Sequence, residues 1–417
     1  MRGLFLMAMD GLYADNAGAV VGDAMDGLYA DNAGAVVGDA MDGLYACNAG
    51  AVAGDGGAAF VHLNELRIGD VRVIREQVIS LDPGWNVFVG ANGAGKTSIL
   101  EAAFLLSHGR SFRRGARDTL SRLGSDGYAV FGRLQLANGR ERRLGIARVG
   151  GKLETRVDGE VVGISGLVQA CAVACFEPGS HELIGGVAEE RRRYLDWGVF
   201  HVEHGFLQDW RRYQRALRQR NSVLRNGGSD ADLEPWESEM AGVGERIGQS
   251  RQAYLDRLRP ILQSVLQGFL GELGEATIVL ERGWKEAQTL AGALVDARMR
   301  DRERGHTGKG PHRADWALLF EHAPRREHLS RGQEKLCALA LVLSQARLFA
   351  VQTGEWPILC FDDLASELDQ AHQAQVIEQL GASGAQVLIT GTERPRALDT
   401  VPGTLRMFHV EQGRIDA

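Results

Sequence analysis

Among 417 residues the lysines are Lys96, Lys152, Lys285, Lys309 and Lys335, so positive charge rests almost wholly on arginine. Cysteine is as sparse. Cys47, Cys171, Cys175, Cys337 and Cys360 form no C-x-x-C pair and no metal-like spacing with histidine, which argues against a structural zinc site or a disulfide framework. Cys171 and Cys175 sit in an apolar run and read as core thiols of a reduced, cytoplasmic protein. No stretch reaches the roughly eighteen apolar residues of a membrane helix, so no membrane partner is expected. A net positive charge is missing too: the balance is −7. That balance is uneven, because residues 1–59 hold Asp10, Asp15, Asp23, Asp26, Asp31, Asp39, Asp42 and Asp55 against the single base Arg2, which leaves the rest neutral. Local clusters of arginine, not the total, must therefore decide whether a polyanion binds.

The acidic segment is a repeat. Ala8–Asp23 and Ala24–Asp39 are identical, and Ala40–Asp55 differs only at Cys47 and Ala53. The unit is shorter than the common solenoid repeats and shows neither heptads nor strand alternation. Leu4–Met9 is too short for a signal peptide. Residues 1–59 read as translated tandem-repeat DNA, with Val61 as a candidate initiator; a peptide from 1–59 in the mature protein would contradict this.

From Val61 the pattern is that of a folded chain. Leu63–Ile74 and Trp85–Val89 read as strands. Residues 128–149 and 152–162 read as short antiparallel strands turning at Asn138-Gly139 and Asp158-Gly159, and Val168–Phe176 as a buried strand. Helices begin near Glu189. Phe206, Trp210, Tyr213, Leu217 and Leu224 fall on one helical stripe, with Arg211, Arg215, Arg218 and Arg225 opposite. After the break at Gly227–Asp230, Met240, Val243, Ile247, Tyr254, Leu258, Ile261 and Val265 repeat at three-and-four spacing. That predicts an antiparallel partner helix with a kink at Pro260. Further strands are expected at Thr277–Leu280, Pro357–Phe361 and Gln386–Ile389. Helices are expected over 287–304, from about Leu329 to Val351, and up to Leu380.

The chemistry is concentrated in three places. Gly90-Ala91-Asn92-Gly93-Ala94-Gly95-Lys96-Thr97 fits G-x-x-x-x-G-K-[ST] between a strand and a helix. Its glycines let backbone N–H groups point at phosphate oxygens, and the helix N-terminus adds to that field. Lys96 reaches the β- and γ-phosphates, and Thr97 offers a hydroxyl to Mg²⁺. A glycine-rich chain can match the glycines by accident; the rare lysine is harder to obtain. ATP and Mg²⁺ are the expected cofactors. Asp362 ends an apolar strand as a second Mg²⁺ carboxylate, and Asp363 follows where it can orient or deprotonate the attacking water. Leu329-Ser330-Arg331-Gly332-Gln333 resembles the ABC-type signature L-S-G-G-Q, in which Ser330, Gly332 and Gln333 would meet a nucleotide held by a second subunit.

Taken with Gly109–Arg113, Arg191–Gly198, Gln219–Asn221, Gly310–Arg313 and Leu329–Lys335, the chain from about residue 61 onward resembles the RecF family, bacterial recombination-mediator ATPases related to the SMC class. The resemblance implies an α/β fold: a P-loop ABC-type ATPase head with an inserted helical hairpin lobe. The expected segments are the 1–59 extension, head residues 60–185 and 306–417, and a lobe at 186–305. It also implies a slow ATPase that dimerises on ATP and binds duplex and gapped DNA. Such a protein would act in replication, recombinational repair and the SOS response, placing RecA with RecR- and RecO-type partners. Arg331 stands where transporters carry glycine, Asp363 where they carry glutamate and Thr392 where they carry a switch histidine, which fits slow turnover. The Q-loop residue is expected near Phe176-Glu177-Pro178. A transporter ATPase subunit and a non-catalytic scaffold are the competing readings. Expected DNA contacts are Arg191, Arg192, Arg193, Arg211, Arg215 and Arg218, bound mainly to phosphates.

Overall fold

The computed structural model describes residues 60–113, 119–401 and 403–416. The repeat segment 1–59 and Arg114 of the basic turn lie outside the described residues. The chain forms two compact units, one of residues up to Val173 together with those from Gln373 onward, the other Ala174–His372.

In the first unit, β1 (His62–Val71) and β2 (Ile74–Ser80) form a hairpin, and β3 (Trp85–Val89) leads through the glycine-rich loop into α1 (Lys96–His108). β4 (Gly127–Gln135), β5 (Glu141–Val149), β6 (Lys152–Val157) and β7 (Glu160–Val162) extend β2–β1 into an antiparallel sheet of order β2-β1-β4-β5-β6-β7. Alternation puts Leu63, Leu66, Ile68, Val130, Leu134, Leu144 and Ile146 on its buried face. α1 packs there so closely that a Cβ on Gly132 would sit 2.5 Å from Leu106. The expected strand Val168–Phe176 is shorter: α2 (Ile164–Ala170) takes its first three residues, and β8 (Val173–Phe176) is the extended part. An apolar run of that length does not separate a short helix from a strand.

In the second unit, α3 (Glu182–Gly185) and α4 (Ala188–Val202) precede the expected hairpin, α5 (Phe206–Arg225) and α6 (Asp230–Leu270). Ser229 and Asp232 close a capping box at the start of α6, which runs on through Pro260 as one helix. Of its expected stripe α5 buries Phe206, Tyr213, Leu217 and Leu224 and leaves Trp210 half-buried. β9 (Ala276–Glu281) pairs antiparallel with β10 (Asp315–Phe320), on either side of α7 (Leu290–Arg304). α8 (Arg331–Thr353) is long and apolar enough to span a membrane, yet Cys337–Ala346 are all buried within the protein, as in a core helix apolar on every side. β11 (Ile358–Phe361), the one-turn α9 (Leu364–Glu367) and the start of α10 (Gln370–Gly381) complete this unit. Back in the first unit, β12 (Val387–Gly391) and β13 (Leu405–Glu411) flank β3 in parallel, and β14 (Arg414–Asp416) pairs with β13.

The segments expected to mark a family converge on one loop of the second unit. Asp196 pairs with Arg251, whose Nη1 donates to the Pro311 carbonyl at 2.8 Å. Tyr213 Oη donates to His312 Nδ1 at 2.7 Å, because His312 Nε2 is spent on the Thr307 carbonyl at 3.1 Å. Gly310 has φ +129, and a Cβ there would lie 2.1 Å from Tyr213 Oη. Burial, aided by Arg313, Arg192 and Arg220, lowers the His312 pKa to about 4, against the Thr307 hydrogen bond. The folded value is below the ordinary one of about 6.5, so this stabilisation is complete above pH ~6.5 and is lost as pH falls towards 4. Urea unfolding at pH 7.5 and 4.5 should show a loss of roughly 2–3 kcal/mol from this group, and His312→Gln should flatten that part of the pH dependence. An unchanged pH profile in the variant would show that His312 titrates normally.

Candidate functional site

The phosphate loop is built by close approach. A Cβ on Gly90 would come 2.1 Å from the Val410 carbonyl of β13, so no side chain fits where the strand passes. Gly93 and Gly95 have φ +80 and +113, a region that costs other residues about 1 kcal/mol. Gly413 N–H donates to the Ala94 carbonyl at 2.8 Å, which pins the loop to the β13–β14 turn. Ala91, Asn92 and Gly93 are exposed, whereas Lys96 is buried. Its Nζ folds back to the carbonyls of Gly90 at 2.8 Å and Ala91 at 2.9 Å. An exposed loop of amides, a helix N-terminus and a seated ammonium fit a triphosphate. Glu101, fully buried on α1, binds Arg72 at 2.7 Å and Ser111, with Arg113 at 4.0 Å. This ties the basic turn to the phosphate-loop helix, a role that local spacing gave no hint of.

The second unit holds the carboxylates and the signature segment. Asp362 is buried at the end of β11, and its N–H donates to the Phe176 carbonyl at 2.8 Å. Asp363 has φ 53 and ψ 42, a left-handed conformation uncommon outside glycine, and it opens α9. Glu177, in the expected Q-loop region, has its carboxyl pKa raised, first by burial and then by Asp362 and Glu367, against the Gly179 N–H. A threonine hydroxyl and an aspartate carboxylate are each hard oxygen donors of the kind that Mg²⁺ takes. Ser330 caps α8 by accepting from the Gln333 N–H at 3.3 Å, while Gln333 Oε1 accepts from the Ser330 N–H at 3.0 Å. Ser330, Arg331 and Gly332 are exposed. Cys337 and Cys171 are pushed up to about 12 by burial, so neither is a nucleophile at neutral pH.

The RecF/RecN/SMC N terminal domain model matches residues 62–416. The DNA replication and repair protein RecF of Xanthomonas euvesicatoria pv. vesicatoria (strain 85-10) is 46% identical over 361 residues, covering 85% of this chain and 98% of its own. The chain belongs to the RecF family. The RecF of Stenotrophomonas maltophilia (strain R551-3) is 45% identical over 363 residues, 86% of this chain and 100% of its own. A solved structure of the recombination mediator protein RecF-ATP in the RecFOR pathway is 27% identical, with TM-score 0.78 over 86% of this chain and 98% of that one. The fold is the RecF/SMC ABC-type ATPase head, and membership of this family sets the transporter reading aside.

The six expected DNA arginines divide. Arg191 is buried, bidentate to Asp315 at 2.6 and 2.9 Å, and bonded to the carbonyls of Ile184 and Gly186. A phosphate could reach it only by breaking that set. Arg192 is half-buried and donates to the Ala314 carbonyl at 2.7 Å. Arg193 is exposed but bridged to Glu189 and Glu190. Arg211 is half-buried on α5, while Arg215 and Arg218 are exposed and enter no ion pair among the described residues. Three successive arginines can serve a fold as readily as a polyanion. Arg191 is set apart by an acid distant in sequence, Asp315, whereas the acids that meet Arg193 lie one turn away on its own helix.

Proposed function

We propose that the chain is an ATP-dependent DNA-binding protein of replication and recombinational repair, which binds duplex and gapped DNA as an ATP-induced dimer and hydrolyses ATP slowly. The intact phosphate loop, with Lys96 seated on its carbonyls, carries the reading, and family membership gives it its setting. Bound ATP would supply the phosphoanhydride bond, and Mg²⁺ would neutralise its charge. Gly90–Lys96 hold the phosphates, Thr97 and Asp362 offer oxygens to the metal, and Asp363 orients the attacking water and takes its proton. Ser330, Gly332 and Gln333 close on the nucleotide of a second copy, so that binding couples to assembly. Arg211, Arg215 and Arg218 on α5 track DNA phosphates. RecR- and RecO-type proteins and RecA are the partners of this cytoplasmic role, as the RecFOR setting of the solved relative suggests.

The test is solution mass and gapped-duplex binding by the full chain, with and without MgATP, over a range of salt. The mass should double and DNA be retained only with ATP, and Ser330→Arg should remain monomeric. Changing Arg211, Arg215 and Arg218 together to Ala should make the slope of log affinity against log salt shallower by roughly 2–3. Mass and DNA binding indifferent to ATP while hydrolysis persists would remove the clamp. An unchanged salt slope would return the stripe to a solvated face.

A further inference from the structure

Lys335 Nζ lies 2.7 Å from Glu367 Oε2. Among the described residues Lys335 is the one lysine in an ion pair; the other pairs, His372 apart, use arginine. The two residues join segments with different expected tasks. Lys335 sits on α8 just beyond the reciprocal Ser330–Gln333 cap, which makes the first turn of that helix rigid. Glu367 ends the one-turn helix that Asp363 begins. Within it the Ser366 and Glu367 N–H groups donate to the Asp363 carbonyl at 2.9 and 3.2 Å. Asp363 at the other end is held in the left-handed region, with φ 53 and ψ 42.

We propose that the Lys335–Glu367 pair is the positioning link through which seating of Ser330–Gln333 on a second copy's nucleotide sets the Asp363 carboxylate of the same protomer. The inference rests on the ATP-sandwich reading and adds to it the route from signature to hydrolytic carboxylate. One end of a four-residue turn cannot move without the other, so a shift of the α8 N-terminus acts on Asp363 through Glu367. A lysine suits this use. It makes a single point contact on a flexible stem, whereas an arginine fork would lock two oxygens. Removing Lys335 also leaves the half-buried Glu367 facing the Glu177 carboxylate without its cation, which would disturb the turn.

The experiment compares the full chain with Lys335→Met, Glu367→Gln and the exchange Lys335→Glu with Glu367→Lys, reading kcat and KM for ATP separately, with solution mass and melting temperature in the same samples. Each single change is expected to lower kcat about tenfold while KM stays within about threefold and the ATP-dependent doubling of mass persists. The exchange should bring kcat back to within about threefold of wild type. Single variants with wild-type kcat, or an exchange no better than they are, would show the pair to be ordinary surface electrostatics and overturn the link. A wild-type chain that does not turn over ATP would overturn the ATPase reading itself, and the link with it.

Discussion

Lys96→Ala is expected to lower kcat/KM for ATP by about a thousandfold, the scale on which loss of one preorganised charge at a transferring group is felt. In the folded loop the Lys96 ammonium is already desolvated and held against the loop by the Gly90 and Ala91 carbonyls. A charge already fixed in the loop is the kind that stabilises a transferring phosphoryl group. Lys96→Arg should fail nearly as badly, because a planar fork does not fit a seat made for a point charge between two carbonyls. Turnover and binding of a fluorescent ATP analogue measure the effect, and a melting curve guards against loss of fold. Turnover within about threefold of wild type would mean that hydrolysis takes place elsewhere.

Arg220→Met is expected to destabilise the second unit by about 3–5 kcal/mol, the cost of leaving a buried carboxylate without its partner. Arg220 has no exposed surface. Its guanidinium donates to Glu237 at 2.9 Å, Asp301 at 2.7 Å and the Thr307 hydroxyl at 2.8 Å, joining α5, α6, α7 and the loop before Pro311. Glu237 keeps Arg298 at 2.6 Å when Arg220 is lost. Among the described residues Asp301 then keeps only the Gly308 N–H at 3.0 Å, so most of the penalty falls there. Arg220→Lys should recover little, since one ammonium cannot reach both acids. Adding Asp301→Asn to Arg220→Met should return part of the stability by removing the stranded charge. Urea midpoints of the single and double variants decide the matter. Equal midpoints for wild type and Arg220→Met would show the network to be energetically idle.

How much of this was legible beforehand follows from distance along the chain. The phosphate loop, the strand ending in Asp362-Asp363, the capped helix at Ser330 and the α5–α6 hairpin are local. Each depends on spacing within one turn or one strand, or on glycine where φ is positive, and the amino-acid order determined them alone. The pairing of Arg191 with Asp315, of Arg220 with Asp301 and of Lys335 with Glu367 is non-local. Arg191 and Arg215 carry the same side chain on neighbouring helices, yet the fold closes an acid over one and leaves the other in solvent. A charge is assigned to structure or to a ligand by what lies within a few ångströms of it, and for these residues only the tertiary structure decides that.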